Sequence, residues 1–269
     1  MYAETVDHFA AVAAKKGEYL RRSPGGFFIS SMMAGAYVGL GIILIFCVGS
    51  DADPAYRGLI MGASFGIALT LVIFAGSDLF TGHTMFMSLG VLRRRVGLAD
   101  LGSSWSMTWV GNLVGAGLLA VLFVAGGGGA MLHSNSQFLM KVAAAKMNAP
   151  AIELFARAIL CNWLVCLGVV MAMTSTSTIG KIAATWLPIF TFFALGFEHT
   201  VVNMFIIPTG MLLGAKVSVY DWWVWNQIPV TLGNLVGGFV FTGLALYTTF
   251  KPAQQAASAP TVVMQVASE

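Results

Sequence analysis

Two adjacent ionisable residues, Glu198 and His199, lie in the middle of a long apolar stretch of this sequence. The residues before them include WLPIFTFFAL and those after them include FIIPTGMLL, a composition typical of a segment that lies in lipid. An ionisable side chain is costly inside a bilayer, and by default it marks an ion or proton pathway. His199 can gain or lose a proton near neutral pH, so it can meet an anion as a hydrogen-bond donor or as a cation. The alternative for His199 is a histidine that is hydrogen-bonded within a helix interface.

Glu198 and a second polar cluster offer further candidates. A carboxylate beside an anion path repels the substrate, so Glu198 either holds an irregular stretch of backbone or pairs with a cation. The second cluster is SDLFTGHTMF, residues 77–86, in which the Thr81 hydroxyl can bond to a substrate or to His199. Gly82 in this cluster allows an unusual backbone turn. His83 is a second titratable group, placed at the exit of the cluster.

The sequence does not favour an enzyme. It contains no Gly-x-Ser-x-Gly nucleophile elbow, no His-Glu-x-x-His zinc helix and no phosphate-binding loop. A metal site built from His83, His199 and Cys161 fits no usual ligand spacing. We therefore expect a protein without catalytic activity, cofactor or metal. The net charge of +3 comes without a basic arm, which argues against nucleic acid as a partner.

The composition indicates a membrane protein. Hydrophobic residues make up 58% of the chain and charged residues only 9%, whereas soluble domains carry roughly 25% charged residues. The first 25 residues are mixed and polar, which does not predict a cleavable signal peptide. Within them, residues 6–20 have apolar positions at helical spacing, which predicts an amphipathic cytoplasmic helix on the membrane surface; a loosely ordered tail is the alternative. Residues 251–269 are predicted to form a disordered cytoplasmic tail.

The channel domain, residues 26–250, is predicted to be all-α with six transmembrane helices. A bilayer core of about 30 Å needs about 20 helical residues, and six stretches meet this length. They are 26–48, 58–89, 106–125, 152–173, 183–213 and 228–250. The second and fifth are too long and too interrupted to be plain helices. We therefore expect both of them to be broken, at residues 75–86 and 195–205.

Basic residues are concentrated on one side of this predicted topology. The side that includes both termini carries Lys15, Lys16, Arg21, Arg22, Arg93, Arg94, Arg95, Lys181 and Lys251. The opposite loops contain Arg57, Lys141, Lys146 and Lys216, with Arg157 just inside the fourth span. Cytoplasmic flanks are enriched in Lys and Arg, so we expect both termini in the cytoplasm.

The two halves of the chain resemble each other. WVGNLVGA, residues 109–116, matches TLGNLVGG, residues 231–238, and the two broken segments match with Asp78 opposite Glu198. Each half contains three predicted spans, and because three is odd, the second half enters from the other side of the membrane. Such inverted repeats place the substrate site at the interrupted spans near the midplane. Asn112 and Asn234, at equivalent places, can satisfy backbone groups freed by the breaks, or they serve packing alone.

These stretches together resemble the formate/nitrite transporter family, from about residue 5 to residue 250. The stretches that carry the resemblance are GSDLFTGHTMF, WVGNLVGA, AKMN with ILCNWLVCL, GFEHTVVNM and IPVTLGNLVGG. The resemblance implies an aquaporin-like fold of six helices and a homopentamer in which each protomer has its own pore. It also implies a bacterial inner-membrane channel or transporter for small monovalent anions, with nitrite first and formate or hydrosulfide as alternatives.

The resemblance also assigns roles to individual residues. Leu79, Phe80 and Thr81 match the loop that closes the cytoplasmic entrance. His199 matches the central histidine, which gives the anion a proton or a hydrogen bond, and Thr81 matches its hydrogen-bonding partner. Four residues match the apolar constrictions on either side: Phe65, Leu69, Val165 and Phe192. Five match polar positions that surround the pore or support its loops: Lys146, Glu198, Asn162, Asn203 and Asn234.

Several properties stay open at this point. Apolar residues such as Phe65 and Leu69 are core by default, although in a channel the same residues form dry constrictions. The residues do not decide between nitrite and formate, nor between an anion that crosses as an ion and one that crosses with a proton. A pore for neutral solutes is expected to carry paired Asn-Pro-Ala motifs, which are absent from this sequence. A membrane sensor or scaffold is the third alternative, and the chain carries no soluble output domain.

Overall fold

The computed structural model describes the backbone of residues 2–250 and the side chains of this range except 2, 3 and 130–135. The predicted tail, 251–269, lies outside the described residues. Helices and their connections account for the described range, with no strand in it, which confirms the predicted all-α class. The helices are α1 (Tyr2–Arg22), α2 (Pro24–Ser50), α3 (Arg57–Phe74), α4 (Phe80–Leu92), α5 (Leu98–Ala125), α6 (Gly129–Ala145), α7 (Ala151–Thr174), α8 (Thr178–Ala194), α9 (Thr200–Leu212) and α10 (Val219–Thr249).

Five of these helices, α2, α3, α5, α7 and α10, are long and apolar enough to cross a membrane. The count of six crossings stays a prediction. Leucines on the surface of the molecule agree with a lipid environment: Leu118, Leu122 and Leu187 are each more than half exposed. Aliphatic side chains on a lipid-facing surface need no partner within the protein.

Three predicted helix starts are wrong. α5 begins at Leu98 rather than at 106, α8 begins at Thr178 rather than at 183, and α10 begins at Val219 rather than at 228. Asp100 and Asp221 lie in the first turns of α5 and α10 and interrupt the apolar stretches there, and a side chain closes each of these two helix starts. Asp100 accepts a hydrogen bond from the backbone N–H of Gly97, and Ser218 accepts one from that of Asp221. The short helix α6 was not predicted, because polar residues occupy 133–137.

The two predicted breaks have the same local structure. α3 and α8 each end in a Schellman motif, with Gly76 and Gly196 at positive φ angles of 72° and 68°. The N–H groups of Ser77 and Phe197 each reach back five residues to a carbonyl, at 3.0 Å in both cases. Glycine adopts such φ values without the clash that a Cβ causes. Three residues without helical structure follow, and then α4 or α9 begins.

The inverted repeat is visible in the packing of long helices. α5 contacts α2 so closely that a Cβ on Gly115 would lie 1.9 Å from the carbonyl oxygen of Met32. α10 contacts α7 in the same way, and a Cβ on Gly237 would lie 2.5 Å from the carbonyl oxygen of Ile159. Small residues let membrane helices approach each other at backbone distance. The repeated Gly-Asn-Leu-Val-Gly stretches therefore form two helix contacts at backbone distance.

Replacing Gly115 with alanine is expected to lower the unfolding free energy by about 1–3 kcal/mol, because the added methyl group forces two backbones apart. The measurement is thermal unfolding of the purified protein in detergent. Gly117→Ala is the matched control on the same helix, because no other helix comes within 4 Å of its added Cβ. Equal loss of stability in the two variants would contradict this account of the contact.

Candidate functional site

The breaks bring residues from the two halves of the chain together. Thr81 lies in the first turn of α4, and His199 is the N-cap residue of α9. Although they are 118 residues apart in the sequence, Thr81 Oγ1 lies 3.2 Å from His199 Nε2. Both side chains are buried. This contact joins the two half-helices at the centre of the protein.

A small apolar chamber lies beside this contact. Its volume is about 20 Å³, enough for about one water-sized molecule. The lining residues are Val38, Phe65, Ala68, Leu69, Leu79, Val165, Ile189, Phe192, His199 and Val202. Among them His199 is the only side chain with a polar atom, so any polar contact from a chamber side chain comes from this imidazole.

Two larger cavities flank the chamber. The first, which we call the α1 vestibule, has a volume of about 270 Å³ and shares Leu69, Leu79 and Val165 with the chamber. The second, which we call the α6 vestibule, has a volume of about 320 Å³ and shares Phe192 and Val202 with it. Each set of shared residues is apolar. The three cavities therefore form a series in which two apolar constrictions separate the vestibules from the chamber.

The hydrogen bonds of His199 determine which ring nitrogen carries the proton. Nδ1 accepts from the backbone N–H groups of Val201 and Val202, at 3.2 and 3.3 Å. In a neutral imidazole the nitrogen that accepts is unprotonated, so the proton lies on Nε2. The ring also stacks on Phe192, with centroids 5.9 Å apart. These contacts hold an Nε2–H donor in a fixed orientation beside Thr81 and the chamber.

Asn112 and Asn234 satisfy the backbone at the two breaks, as the repeat predicts. Asn112 Oδ1 accepts from the Phe80 N–H at 2.8 Å, and its Nδ2 donates to the Asp78 carbonyl at 3.0 Å. Asn234 makes the equivalent bonds, from the Thr200 N–H at 2.8 Å and to the Glu198 carbonyl at 3.0 Å. Each asparagine thus spans the unwound residues before a half-helix.

The N-terminal ends of α4 and α9 meet near the chamber. A helix N-terminus carries a partial positive charge that favours anions. The first turn of α9 is capped by the His199 side chain, whereas the N-cap residue of α4 is Leu79, which offers no side-chain cap. Two half-helix dipoles therefore favour negative charge at the point where the cavities are narrowest.

Glu198 forms an ion pair with Lys146 in the wall of the α6 vestibule. The ammonium group donates to both carboxylate oxygens at 2.8 Å. Asn203 donates to Glu198 Oε2 at 2.7 Å and to Asn226 Oδ1 at 2.7 Å. Of the two roles considered for Glu198, the structure shows pairing with a cation. Lys146 keeps 14% of its side chain exposed toward this cavity.

The predicted site residues divide into two groups. Eight line the cavities: Phe65, Leu69, Leu79, Val165, Phe192, His199, Lys146 and Glu198. The other five are buried behind them: Phe80, Thr81, Asn162, Asn203 and Asn234. Asn162, for example, donates to Thr84 Oγ1 at 2.9 Å and to the Asn234 carbonyl at 2.6 Å, which ties α7 to α4 and α10.

Sequence reasoning missed several lining residues. Val38, Ala68, Ile189 and Val202 are apolar, and nothing in their sequence context separates them from core residues. Two basic residues, Lys16 and Lys181, line the α1 vestibule. Within the described range no group of three or more His, Cys, Asp or Glu side chains is placed to hold a metal ion. His83 instead lies with Nδ1 2.7 Å from Ser104 Oγ and Nε2 3.0 Å from Asp78 Oδ1.

Known proteins resemble this chain over nearly all of its length. The nitrite transporter NirC of Salmonella typhimurium is 46% identical over 252 residues, which cover 92% of this chain and 91% of that protein. A probable formate transporter of Methanothermobacter thermautotrophicus is 39% identical, and the match covers 92% of this chain and 96% of that protein.

Solved structures resemble the fold as well. An FNT family ion channel, 44% identical, superposes with a TM-score of 0.87 over 91% of this chain and 98% of that chain. A pentameric formate channel with formate bound, 26% identical, superposes with a TM-score of 0.74 over 86% of this chain and 98% of that chain. The sequence profile described as Formate/nitrite transporter matches residues 3–248. The chain therefore belongs to the formate/nitrite transporter family.

Proposed function

We propose that this protein conducts small monovalent anions across the bacterial inner membrane, with nitrite as the principal substrate. The observation that carries the proposal is the position of His199, whose Nε2 lies 3.2 Å from Thr81 Oγ1, in the wall of an apolar chamber between two vestibules that both contain basic side chains. The nitrite transporter at 46% identity supports nitrite as the substrate. Formate is the second candidate, because a resembling solved channel holds formate.

The apolar constrictions explain why a donor is needed. An ion that leaves water for a dry slit loses its hydration, which is very costly unless other groups replace it. In the chamber, the His199 Nε2–H and the two half-helix dipoles replace part of that hydration. A neutral solute such as glycerol carries no charge for these groups to offset, and it is larger than nitrite.

The hydrogen bonds of His199 favour hydrogen bonding over proton transfer. If neutral His199 gave its Nε2 proton to the anion, an imidazolate would remain, unless Nδ1 already carried a second proton. A proton on Nδ1 would face the N–H groups of Val201 and Val202, which now donate to that atom. We therefore propose that nitrite crosses the chamber as an anion that accepts a hydrogen bond from Nε2.

The charge distribution supports an orientation. α1 and the arginines at 93–95 lie on the same side, because Arg93 pairs with Asp7 and Arg21 pairs with Asp100. We propose that this side faces the cytoplasm. The α1 vestibule then opens to the cytoplasm and the α6 vestibule to the opposite side. α1 serves as a cytoplasmic helix on the channel domain, 26–250.

We also propose a homopentamer with one pore in each protomer, in contact with membrane lipid. The formate channel that superposes over 86% of this chain is pentameric. Apolar residues on the outside of the protomer, such as Leu160, Trp163 and Phe241, are available for contacts with neighbours or lipid.

The test is transport by purified protein in liposomes. We expect saturable nitrite uptake and no glycerol-driven swelling, because the donor and the half-helix dipoles favour an anion, and glycerol is a larger solute without charge. Nitrite and formate are compared in the same preparation, and nitrite is expected to be the faster substrate. Glycerol permeation without nitrite uptake would replace the proposal with a neutral-solute pore, and the absence of any flux would favour a sensor or scaffold.

A further inference from the structure

A buried glutamine of α10, Gln227, lies behind the break that carries His199. Its Nε2 donates to Thr200 Oγ1 at 2.6 Å and to the Thr200 carbonyl at 3.4 Å. Thr200 is itself buried, directly follows His199 and is the first residue of α9. Gln227 therefore holds the residue next to the imidazole at the chamber.

The orientation of the Gln227 amide follows from its contact with Trp222. An indole N–H can only donate, and Trp222 Nε1 lies 3.0 Å from Gln227 Oε1. The oxygen therefore faces the indole, which leaves the amide N–H groups for Thr200. Both residues belong to a π-helical turn of α10 (Trp222–Gln227), in which the Ile228 N–H reaches back five residues to the Trp223 carbonyl. Such turns are rare and frequently occur at functional sites. This one presents an oriented amide to the start of α9.

The corresponding positions in the first half of the chain are aromatic. In the repeat, Phe80 corresponds to Thr200 and is the first residue of α4, whose N-cap residue is a leucine. Trp105 corresponds to Gln227, but its Nε1 donates to the His83 carbonyl at 3.1 Å, three residues beyond the start of α4. The glutamine and the threonine thus occur in the half of the repeat that carries the histidine.

The hydrogen bonds that cap α9 depend on a precise position of its first turn. His199 Nδ1 accepts from the Val201 and Val202 N–H groups at 3.2 and 3.3 Å. These distances are at the long end of the usual range, which is about 2.7–3.2 Å for N–H···O bonds. A small movement of the turn would therefore break them. Without these donors, the neutral ring can carry its proton on Nδ1 instead of Nε2, and the donor beside Thr81 would be lost.

We propose that Gln227 is a positioning residue for transport, because it holds Thr200 and thereby keeps the His199 proton on Nε2. This inference rests on the proposed function, in which that proton meets the anion. Thr231 supports the same residue, since its Oγ1 lies 2.7 Å from Thr200 Oγ1 and accepts from Trp109 Nε1 at 3.2 Å. Gln227 is buried outside the three cavities, so its effect on the anion passes through the imidazole.

The first measurement is the tautomer of His199, by nitrogen NMR of the full-length protein in liposomes with isotope-labelled histidine. Couplings to the ring carbons distinguish Nδ1 from Nε2, and the signal that disappears in His199→Phe identifies the residue. Wild type is expected to be protonated on Nε2. Gln227→Met keeps a similar length but removes the amide. It is expected to shift the ratio of the two tautomers about tenfold toward Nδ1, which corresponds to about 1.4 kcal/mol.

Nitrite uptake by the same liposomes measures the consequence for transport. In Gln227→Met, flux at equal protein content is expected to fall in proportion to the fraction of rings that lose the Nε2 proton. Gln137 is an exposed glutamine of α6, and Gln137→Met is the matched control, with the tautomer ratio and the flux of wild type. A general loss of stability would not change the tautomer of a folded protein, so the ratio separates positioning from packing.

Variants of Thr200 test the path through that residue, and they also serve if Gln227→Met does not fold. Thr200→Val keeps the shape but removes the hydroxyl, and it is expected to shift the tautomer ratio as Gln227→Met does. Thr200→Ser restores the hydroxyl and should restore the ratio. Combining Gln227→Met with Thr200→Val is expected to add little to either single change, because both remove the same contact.

Two results would overturn the positioning role. One is a wild-type tautomer ratio in folded Gln227→Met and Thr200→Val, whatever their flux. The other is a double variant whose shift is the sum of the two single shifts, because the glutamine would then act independently of Thr200. The tautomer is measured without transport, so these outcomes are separate from the proposed function. Failure of the wild-type protein to carry nitrite would reject that function itself.

Discussion

His199→Phe is expected to reduce nitrite flux by about 10- to 100-fold. The substitution removes the only side-chain donor of the chamber, and a hydrogen bond to a charged group contributes about 1.5–3 kcal/mol. The phenyl ring fills a similar volume, so the constrictions stay closed and no leak replaces the lost path. The measurement is the initial rate of nitrite uptake into liposomes at equal protein content.

The control for this prediction tests whether the loss of flux is specific to the histidine at the chamber. His8 is an exposed histidine of α1, and His8→Asn is expected to transport at the wild-type rate. Sedimentation or size-exclusion analysis shows whether the oligomer of His199→Phe is intact. Nitrite flux within about twofold of wild type in an intact His199→Phe oligomer would refute the role assigned to the imidazole.

Asn234→Leu is expected to lower the unfolding free energy by at least about 3 kcal/mol. The change leaves three backbone groups without their partner, namely the Thr200 N–H and the carbonyls of Ala158 and Glu198. Each buried group that loses its hydrogen bond costs about 1–3 kcal/mol. Thermal unfolding of the purified protein in detergent, together with the yield of folded protein, measures the effect.

Two variants bracket this result. Asn234→Asp keeps an oxygen that accepts from the Thr200 N–H but lacks the amide donor, so an intermediate loss is expected. Asn148→Leu alters an exposed asparagine whose side chain bonds only to the Ala144 carbonyl among the described residues, and it should cost less than about 1 kcal/mol. An Asn234→Leu protein as stable as Asn148→Leu would show that the break does not depend on this side chain.

The sequence predicts the central part of the site because that part depends on local patterns. Polar residues and glycines interrupt two apolar stretches. The separation between these two interruptions is similar to the separation between the two Gly-Asn motifs. These features are sufficient to place His199 and Thr81 at breaks that face each other. The Schellman ends at Gly76 and Gly196 follow from the same local chemistry.

The residues that the sequence does not reveal depend on packing between distant elements. Lys16 reaches Asp78 because α1 lies against α4 in a register set by Ala13 and Gly90. A surface helix with basic residues near its end gives no indication of that register. The accepting role of His199 Nδ1 is hidden for a related reason, since it requires the extended backbone at the N-cap, with φ −121° and ψ 122°.

The most direct test of the central claim is the charge that accompanies each nitrite ion. Wild-type liposomes are held at a series of membrane potentials, and nitrite uptake is measured together with the current. If nitrite crosses as an anion hydrogen-bonded to His199 Nε2, uptake carries one negative charge per ion and increases as the interior becomes more positive. Electroneutral uptake that does not respond to potential would contradict the account, because it would mean that a proton crosses with each nitrite.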